Sequence, residues 1–389
     1  MKKLFFITGE LSGDIHAAKV LNELYKIIPP RDISVKAIGS VNLEKAGAEI
    51  FFDSKYLGSM GLTEVIKKLP LYAGLERELL SKLNTFLPDA VILVDFPGFN
   101  LRLAKKIKKL LPDTKVIYYL PPQVWAWNQA RTKTLAKYCD LVLCGLPFEE
   151  QFHRERGVNA FYVGNPLIHE VESLDREKTR NEFGTKKDDI LIGLFPGSRN
   201  SEIKYMFPVL LKSVELLKSI NKNCTFMIAQ AQTVNSLESE IKKSSKGNGD
   251  LSKKLKILPP GNNHKLLCAS DIVWLTSGTV TLEAALYETP MILGYKGNQI
   301  NYLLYLLVKR INMIGLPNII ANKEIVPELL QNNAKPENYM KLTDLWLKKH
   351  QELEQVKDNL KKVKETLGTK NASKETAERI AKLIIKRAF

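Results

Sequence analysis

The chain is 389 residues long, enough for two domains of ordinary size, each with its own core. Hydrophobic residues make up 44% and charged residues 26%, a balance that excludes a disordered or low-complexity chain, and no apolar run approaches the ~20 residues needed to span a bilayer. The formal charge of +16 points to an anionic partner: nucleic acid, an anionic membrane surface or phosphorylated substrates.

The opening Met1-Lys2-Lys3 and the apolar run to Ile7 are too short for an export signal before Gly9-Glu10 interrupts them, and they read as a first buried strand, 4–8. A helix is expected from Ser12, with Ser12 as its cap and Asp14 in the first turn, where a negative charge suits the helix dipole. In Gly9-Glu10-Leu11-Ser12-Gly13-Asp14 the small residues let a helix start approach a phosphate, or they simply cap a helix with no ligand. It is not a P-loop, since no Gly-Lys-Ser/Thr follows. Further strands are predicted at 35–38, 90–94, 115–119 and 141–143, each followed by an amphipathic stretch. This is the βαβ grammar of a parallel sheet covered on both faces.

Between the second and third strands, Met60, Val65, Ile66, Lys67, Lys68, Leu69 and Tyr72 mix apolar and basic residues. They suit an interfacial membrane contact, the alternative being a core-facing amphipathic helix. The basic run Lys105-Lys106-Ile107-Lys108-Lys109 reads as a solvated face. Asp95 follows directly on the buried run 90–94. A carboxylate at the C-terminal end of a central parallel strand is partly desolvated, which lifts its pKa towards use as a general base; capping or bracing the loop is the plainer role. Two tryptophans in Val124-Trp125-Ala126-Trp127 are packing anchors or a platform for sugar or acyl groups.

A charged stretch near 166–189 marks the crossing between domains, after which the grammar repeats with strands at 190–195, 225–229, 255–258, 272–275 and 290–293. Residues 242–254 read as an exposed loop, and from about 336 the chain is helical. In Pro196-Gly197-Ser198-Arg199, Ser198 can cap the next helix, and Arg199 either meets a diphosphate or pairs with Glu202. Ser277-Gly278-Thr279 suits a pyrophosphate. Glu283 suits ribose hydroxyls, or serves only as a dipole partner. No Asp-x-Asp pair offers a Mg²⁺ site, no zinc spacing links Cys139, Cys144, Cys224 and Cys268, and neither a metal nor a cofactor is expected. No nucleic-acid-binding signature is visible.

Taken in order, these motifs resemble the lipid-A-disaccharide synthase family of inverting, metal-independent GT-B glycosyltransferases (family 19). The match runs through Gly9 to Asp14, Ser59-Met60-Gly61, Asp95 to Asn100, Val124 to Trp127, Leu146-Pro147-Phe148-Glu149, Pro196 to Arg199, Ser277-Gly278-Thr279 with Glu283, and Leu316-Pro317-Asn318-Ile319-Ile320. Any one motif is weak, and the ordered set is specific. The pattern departs at Asn165, where the family carries His, at Asn128, where it carries a basic residue, and at Gly39-Ser40, where it carries Gly-Gly.

The resemblance implies an α/β fold of GT-B type, two Rossmann-like parallel-sheet domains facing each other across a cleft. Residues 1–165 would form an acceptor and membrane-docking domain, 166–362 a UDP-sugar donor domain, and 363–389 a helix packing back on the first. It implies transfer of 2,3-diacylglucosamine from UDP-2,3-diacylglucosamine to the 6-hydroxyl of 2,3-diacylglucosamine 1-phosphate, in lipopolysaccharide biosynthesis. Asp95 would be the base. Ser198, Arg199, Ser277, Gly278, Thr279, Glu283 and Asn318 would hold the donor, and Glu10, Ser12, Gly13, Asp14, Met60, Trp125 and Arg131 would line the acceptor side. The implied place is the cytoplasmic face of the inner membrane of a Gram-negative-type bacterium, on anionic lipid, with a homodimer left open. A UDP-sugar 2-epimerase of the same fold is the alternative, and a non-catalytic lipid- or nucleotide-binding relative is a third candidate.

Overall fold

The apolar runs become the strands of two parallel sheets. The computed structural model describes residues 1–57, 69–231, 233–234, 237, 255–298 and 310–385. The backbone divides into two compact units, residues 1–168 with 369–389, and residues 169–368.

In the first unit β1 (Lys2–Ile7), β2 (Ile33–Gly39), β3 (Glu49–Asp53), β4 (Ala90–Val94), β5 (Lys115–Tyr119), β6 (Leu141–Cys144) and β7 (Ala160–Tyr162) lie in the order β3-β2-β1-β4-β5-β6-β7. β4 is buried along its whole length, and β1 is buried from Leu4 onward. That is why both read as near-continuous apolar runs rather than alternating ones. Register is fixed by pairs such as Ile7 with Ile38, Ile7 with Leu93 and Val94 with Tyr119. Helices α1 (Leu11–Tyr25), α2 (Val41–Lys45), α3 (Leu69–Phe86), α4 (Pro97–Leu110), α5 (Thr132–Tyr138) and α6 (Pro147–Arg154) connect the strands. Pro97 and Pro147 stand in first turns, where their missing N–H is no loss and their fixed φ suits the helix.

In the second unit β8 (Ile190–Phe195), β9 (Cys224–Ala229), β10 (Leu255–Leu258), β11 (Ile272–Thr276), β12 (Met291–Tyr295) and β13 (Glu328–Leu330) run in the order β10-β9-β8-β11-β12-β13. Its helices are α7 (Arg176–Phe183), α8 (Asn200–Ile220), α9 (Asn263–Ala269), α10 (Val280–Leu286), α11 (Leu316–Ala321), α12 (Pro336–Lys348) and α13 (His350–Leu367). The chain then re-enters the first unit, where α14 (Ala372–Ile384) packs its buried Ala377, Ile380, Ala381 and Ile384 into the core beneath α1. Residues 363–367, expected to belong to a returning helix, instead complete α13, whose Val363 and Leu367 are buried in the second unit.

Each sheet reverses its winding beside its first strand, between β1 and β4 in the first unit and between β8 and β11 in the second. The carboxyl ends flanking such a switch point are where open parallel sheets leave a crevice. Asp95 and Gly9-Glu10 follow β4 and β1, and Gly197 to Arg199 and Ser277 to Thr279 follow β8 and β11.

Candidate functional site

Asp95 leaves β4 in an unusual backbone conformation. Asp95 and Phe96 both adopt left-handed φ values, 47° and 51°, a pair that costs L-residues roughly 1–3 kcal/mol each and persists only when the surroundings over-determine it. Here they do. The Asp95 N–H donates to the Tyr119 carbonyl at 3.1 Å, and the Asp95 carbonyl accepts both the Tyr118 hydroxyl and Asn100 Nδ2, each at 2.7 Å. With its main chain fixed, the side chain stands exposed at the carboxyl edge of the sheet. The packed protein around it removes water and raises the carboxyl above its ordinary value, partly offset by the Phe96 N–H and the charge of His16. Asp95 is thus reachable, poorly hydrated and held in place.

The turn is roofed by aromatics. Phe96 lies directly over Gly9, where a Cβ would fall 2.1 Å from the ring, so only glycine is accommodated. Phe96 in turn meets Tyr72 at 6.0 Å and Phe99 at 5.5 Å between ring centroids. Tyr72, expected at a membrane surface, is therefore a core residue: it is 7% exposed, and its hydroxyl donates to the Leu57 carbonyl at 2.8 Å. Met60, Val65, Ile66, Lys67 and Lys68 lie outside the described residues, as does the side chain of Leu69. The run at 105–109 is not wholly a solvated face. Lys106 pairs with the buried Glu76, and Lys108 pairs with Asp140 at 2.7 Å.

The loop after β1 divides its residues between surface and interior. The helix begins one residue earlier than expected: Glu10 is the cap position, and Ser12 lies inside α1 and caps nothing. Both are exposed, and Gly13 packs against Thr8 and Val94. Asp14, expected to line the acceptor side, is fully buried. Its carboxylate accepts Ser40 N at 2.6 Å, Asn42 N at 3.0 Å, Asn42 Nδ2 at 2.9 Å and Leu43 N at 3.4 Å, serving as an N-terminal cap for α2 supplied by another helix. The tryptophans separate likewise. Trp125 is 5% exposed and is a packing anchor, whereas Trp127 is 44% exposed and carries the Arg131 guanidinium 4.5 Å above its ring. Asn165 replaces the family histidine with a structural function. Its Nδ2 donates to the Gly145 carbonyl at 3.0 Å, and its Oδ1 accepts Leu167 N at 3.0 Å.

In the second unit, Gly197, Ser198, Arg199, Thr276, Ser277, Gly278, Thr279 and Val280 line a cavity of about 230 Å³ together with Ala229, Ala231 and Asn263. Gly197 has φ 112°, and Glu202 Oε2 would lie 2.5 Å from any Cβ there. Glu202 accepts Ser198 N at 2.9 Å and Arg199 N at 3.2 Å, so Glu202 stabilises the start of α8 and Arg199, rather than Ser198, holds the cap position. The Arg199 guanidinium pairs with Glu202 at 3.3 Å yet remains 66% exposed, leaving most of its donors turned to solvent. An adjoining cavity of about 340 Å³ shares Ser277 and Glu202 and is walled by Tyr205, Tyr295, Ile314 and Leu330. Glu283 is half-buried. Burial raises its carboxyl, His264 lowers it and Glu170 raises it further.

Asn318, expected at the donor, is fully buried with its amide engaged internally. Its Nδ2 donates to the Val326 carbonyl and Glu328 Oε1, and its Oδ1 accepts Ile325 N and Val326 N. Because Glu328 also accepts Ile314 N and Gly315 N, and the Ile314 carbonyl accepts Ser277 Oγ at 3.2 Å, Asn318 supports the cavity wall at one remove. His16 and Asn263 are the site residues that sequence reasoning missed; of the two tryptophans it offered as packing anchors or a platform, Trp127 is the exposed one. For His16 the one available signal is its place on the helix that opens Gly9 to Asp14. Among the described residues, no group of three His, Cys, Asp or Glu side chains could hold a metal ion, and no helix is long and apolar enough to cross a membrane.

The chain matches the family model described as lipid-A-disaccharide synthetase over residues 4–384. It is 39% identical over 332 residues to the lipid-A-disaccharide synthase of Nitrosococcus oceani, covering 85% of this chain and 83% of that protein. It is 33% identical over 384 residues to that of Myxococcus xanthus, covering 98% and 97%. Among solved structures, UDP-GlcNAc 2-epimerase from Neisseria meningitidis bound to UDP-GlcNAc superposes with a TM-score of 0.66 over 98% of this chain and 100% of that one, at 14% identity. The likeness to the epimerase is one of fold, the GT-B arrangement of two parallel-sheet α/β domains.

Proposed function

The chain belongs to the lipid-A-disaccharide synthase family, glycosyltransferases of lipid A biosynthesis, and on that premise we propose the substrates and the residues that act on them. The donor is UDP-2,3-diacylglucosamine and the acceptor is the 6-hydroxyl of 2,3-diacylglucosamine 1-phosphate, giving the β-1,6-linked disaccharide 1-phosphate and UDP. The epimerase alternative falls away, since only its fold is shared.

Asp95 takes the acceptor proton as the hydroxyl oxygen attacks the anomeric carbon and the bond to UDP breaks with inversion. The observation that carries this role is the Asp95 turn. A carboxylate with a raised pKa is a stronger base than a hydrated one, and its over-determined backbone fixes where it points. The cavity between β8 and β11 takes the UDP. There Arg199 meets charge gathering on the diphosphate, and Ser277, Gly278 and Thr279 supply hydroxyl and backbone donors; Glu283, further along α10 and outside the cavity lining, is the group we assign to ribose. The bound UDP-sugar of the Neisseria epimerase supports a nucleotide-sugar site in this fold. Asn318 acts by bracing that wall. On the acceptor side Glu10, Ser12 and Trp127 are exposed and Arg131 is half-buried.

We place the enzyme at the cytoplasmic face of an anionic inner membrane, a reading supported by its +16 charge and by the apolar residues around Lys67 and Lys68 in the sequence 60–69. The test is UDP release in detergent micelles holding both lipids. Release that needs both lipids and falls by ~10²-fold or more in Asp95→Ala supports the assignment. Turnover unaffected by that change would place the base elsewhere, and no turnover from the natural chain would overturn the substrates.

A further inference from the structure

The motif Leu146-Pro147-Phe148-Glu149 has so far been given no role, although it holds an isolated acid in the interior of the first unit. Glu149 is 3% exposed on α6 and, among the described residues, has no cationic partner in hydrogen-bonding contact. Its partners are N–H donors. Oε1 accepts the Trp125 indole Nε1 at 2.8 Å, Oε2 accepts Leu146 N at 3.1 Å, and the Gly145 N–H also contributes. Two of these close the start of its own helix, as a capping glutamate would. The third reaches 24 residues back to a different loop, and capping does not explain it.

That loop is built on Trp125. The Trp125 ring packs edge-on against Phe148 at 5.1 Å, and its carbonyl accepts Gln129 Nε2 at 3.4 Å. Arg131 N then donates to the Asn128 carbonyl at 3.1 Å, and the Arg131 side chain lies over Trp127. The charge of Arg131 acts on Tyr118, whose hydroxyl donates to the Asp95 carbonyl. A continuous set of contacts therefore runs from Glu149 through Trp125 to Arg131, beside the Asp95 turn.

We infer that Glu149 is a positioning residue, which acts through the Trp125 indole to hold Trp127 and Arg131 where the acceptor is bound. The inference rests on the acceptor reading of Arg131 and Trp127. Burial pushes the Glu149 carboxyl up to about 7, while its N–H donors hold it down. The indole N–H meets a buried carboxyl oxygen at 2.8 Å, an acceptor that makes its strongest bond when ionised.

Three variants of the full chain test this: Glu149→Gln, Trp125→Phe, which keeps an aromatic ring but loses the N–H, and the double change. The first readout is independent of turnover. With ¹⁵N-labelled tryptophan, the indole resonance that vanishes in Trp125→Phe is expected to move in Glu149→Gln, with that of Trp127 following it, while those of Trp274 and Trp346 in the second unit stay put. An unmoved resonance would overturn the clamp whatever the enzyme's substrates. The second is the micelle assay. Both single variants should raise the acceptor KM about tenfold with the donor KM within twofold, and the double variant should be no worse than the worse single, because both remove one contact. Multiplying effects, a rise confined to the donor KM, or acceptor KM values unchanged from the natural chain would each overturn the positioning role. If the indole resonance moves as expected but the natural chain does not turn over both lipids, the substrate reading fails and the clamp stands.

Discussion

The two switch points are built on opposite principles. After β4 a single carboxylate is presented by two left-handed residues, and three hydrogen bonds restrain the backbone of the residue that carries it. After β8 and β11 the rim consists of small residues around an open cavity, and its one guanidinium is 66% exposed on a single surface ion pair. A base must meet one proton at one place, so the fold uses strain to fix it. A diphosphate presents several oxygens to several donors, so its cation can stay mobile until charge arrives.

That contrast can be broken from either side. The largest effect is expected from Asp95→Asn, which keeps the shape of the turn and removes the base. Micelle turnover should fall ~10²–10⁴-fold with the melting temperature unchanged, and a loss under tenfold would show that the strained turn serves something other than proton transfer. Next comes Arg199→Ala. Titration calorimetry with UDP should show affinity about tenfold lower, with thermal stability nearly unaltered because an exposed pair contributes little; UDP binding at natural strength would remove Arg199 from the site. Smaller still is Tyr118→Phe. The ring stays in the core, and Asn100 still serves the Asp95 carbonyl, so about 1 kcal/mol of stability and a few-fold in kcat are expected to go. If kcat holds while stability falls, the restraint on Asp95 is structural only.

The smallest net effect concerns pH and sharpens the comparison, because it belongs to the first unit alone. Burial holds Glu149 up at about 7 against an ordinary 4.5, so its contribution is full below pH 4.5 and is lost as pH rises through 7. His153, four residues on in the same helix, is fully buried with neither ring nitrogen partnered among the described residues, and burial lowers it from 6.5 to about 4. Its contribution is full above pH 6.5 and is lost as pH falls through 4. Between about 4.5 and 6.5 the two oppose each other, and urea midpoints of the natural chain should change little from these groups. Glu149→Gln should unmask a midpoint that rises with pH in that window, and His153→Leu one that falls; parallel profiles for all three chains would disprove the opposition.

Burial decided what could be read from sequence. β1, β4, β8 and β11 are shielded on both faces, so their apolar runs announce them within a residue or two. The strands left unpredicted, β3, β7 and β13, all lie at sheet edges, β7 and β13 spanning three residues each and β3 half-exposed throughout, and short half-exposed segments leave too little pattern. Asp95 was legible because an acid directly after a wholly buried run has to stand at the carboxyl edge of the sheet, where ligands of such folds bind. Asp14, Asn318, Trp125 and Tyr72 were read as facing a ligand or a membrane because residue type gives the chemistry of a side chain but not its direction. Asp14 and Asn318 are occupied by backbone groups that become neighbours only after folding, Asn42 and Leu43 in one case and Ile325 and Val326 in the other. His16 escaped notice for the converse reason: an isolated residue gains meaning only from what the fold sets beside it.

The return of α14 to the first unit has a consequence for biosynthesis. The helix that carries Gly13, Asp14 and His16 buries Ala17, Ala18, Val20, Leu21 and Leu24 in the core that α14 completes. On a ribosome, residues 372–384 emerge only after the whole of residues 169–368 has been made. The nascent amino-terminal unit must therefore wait with an apolar face open while its neighbour is synthesised. Its final closure is a late event in the life of the chain, and a stage at which a holdase chaperone would find its target.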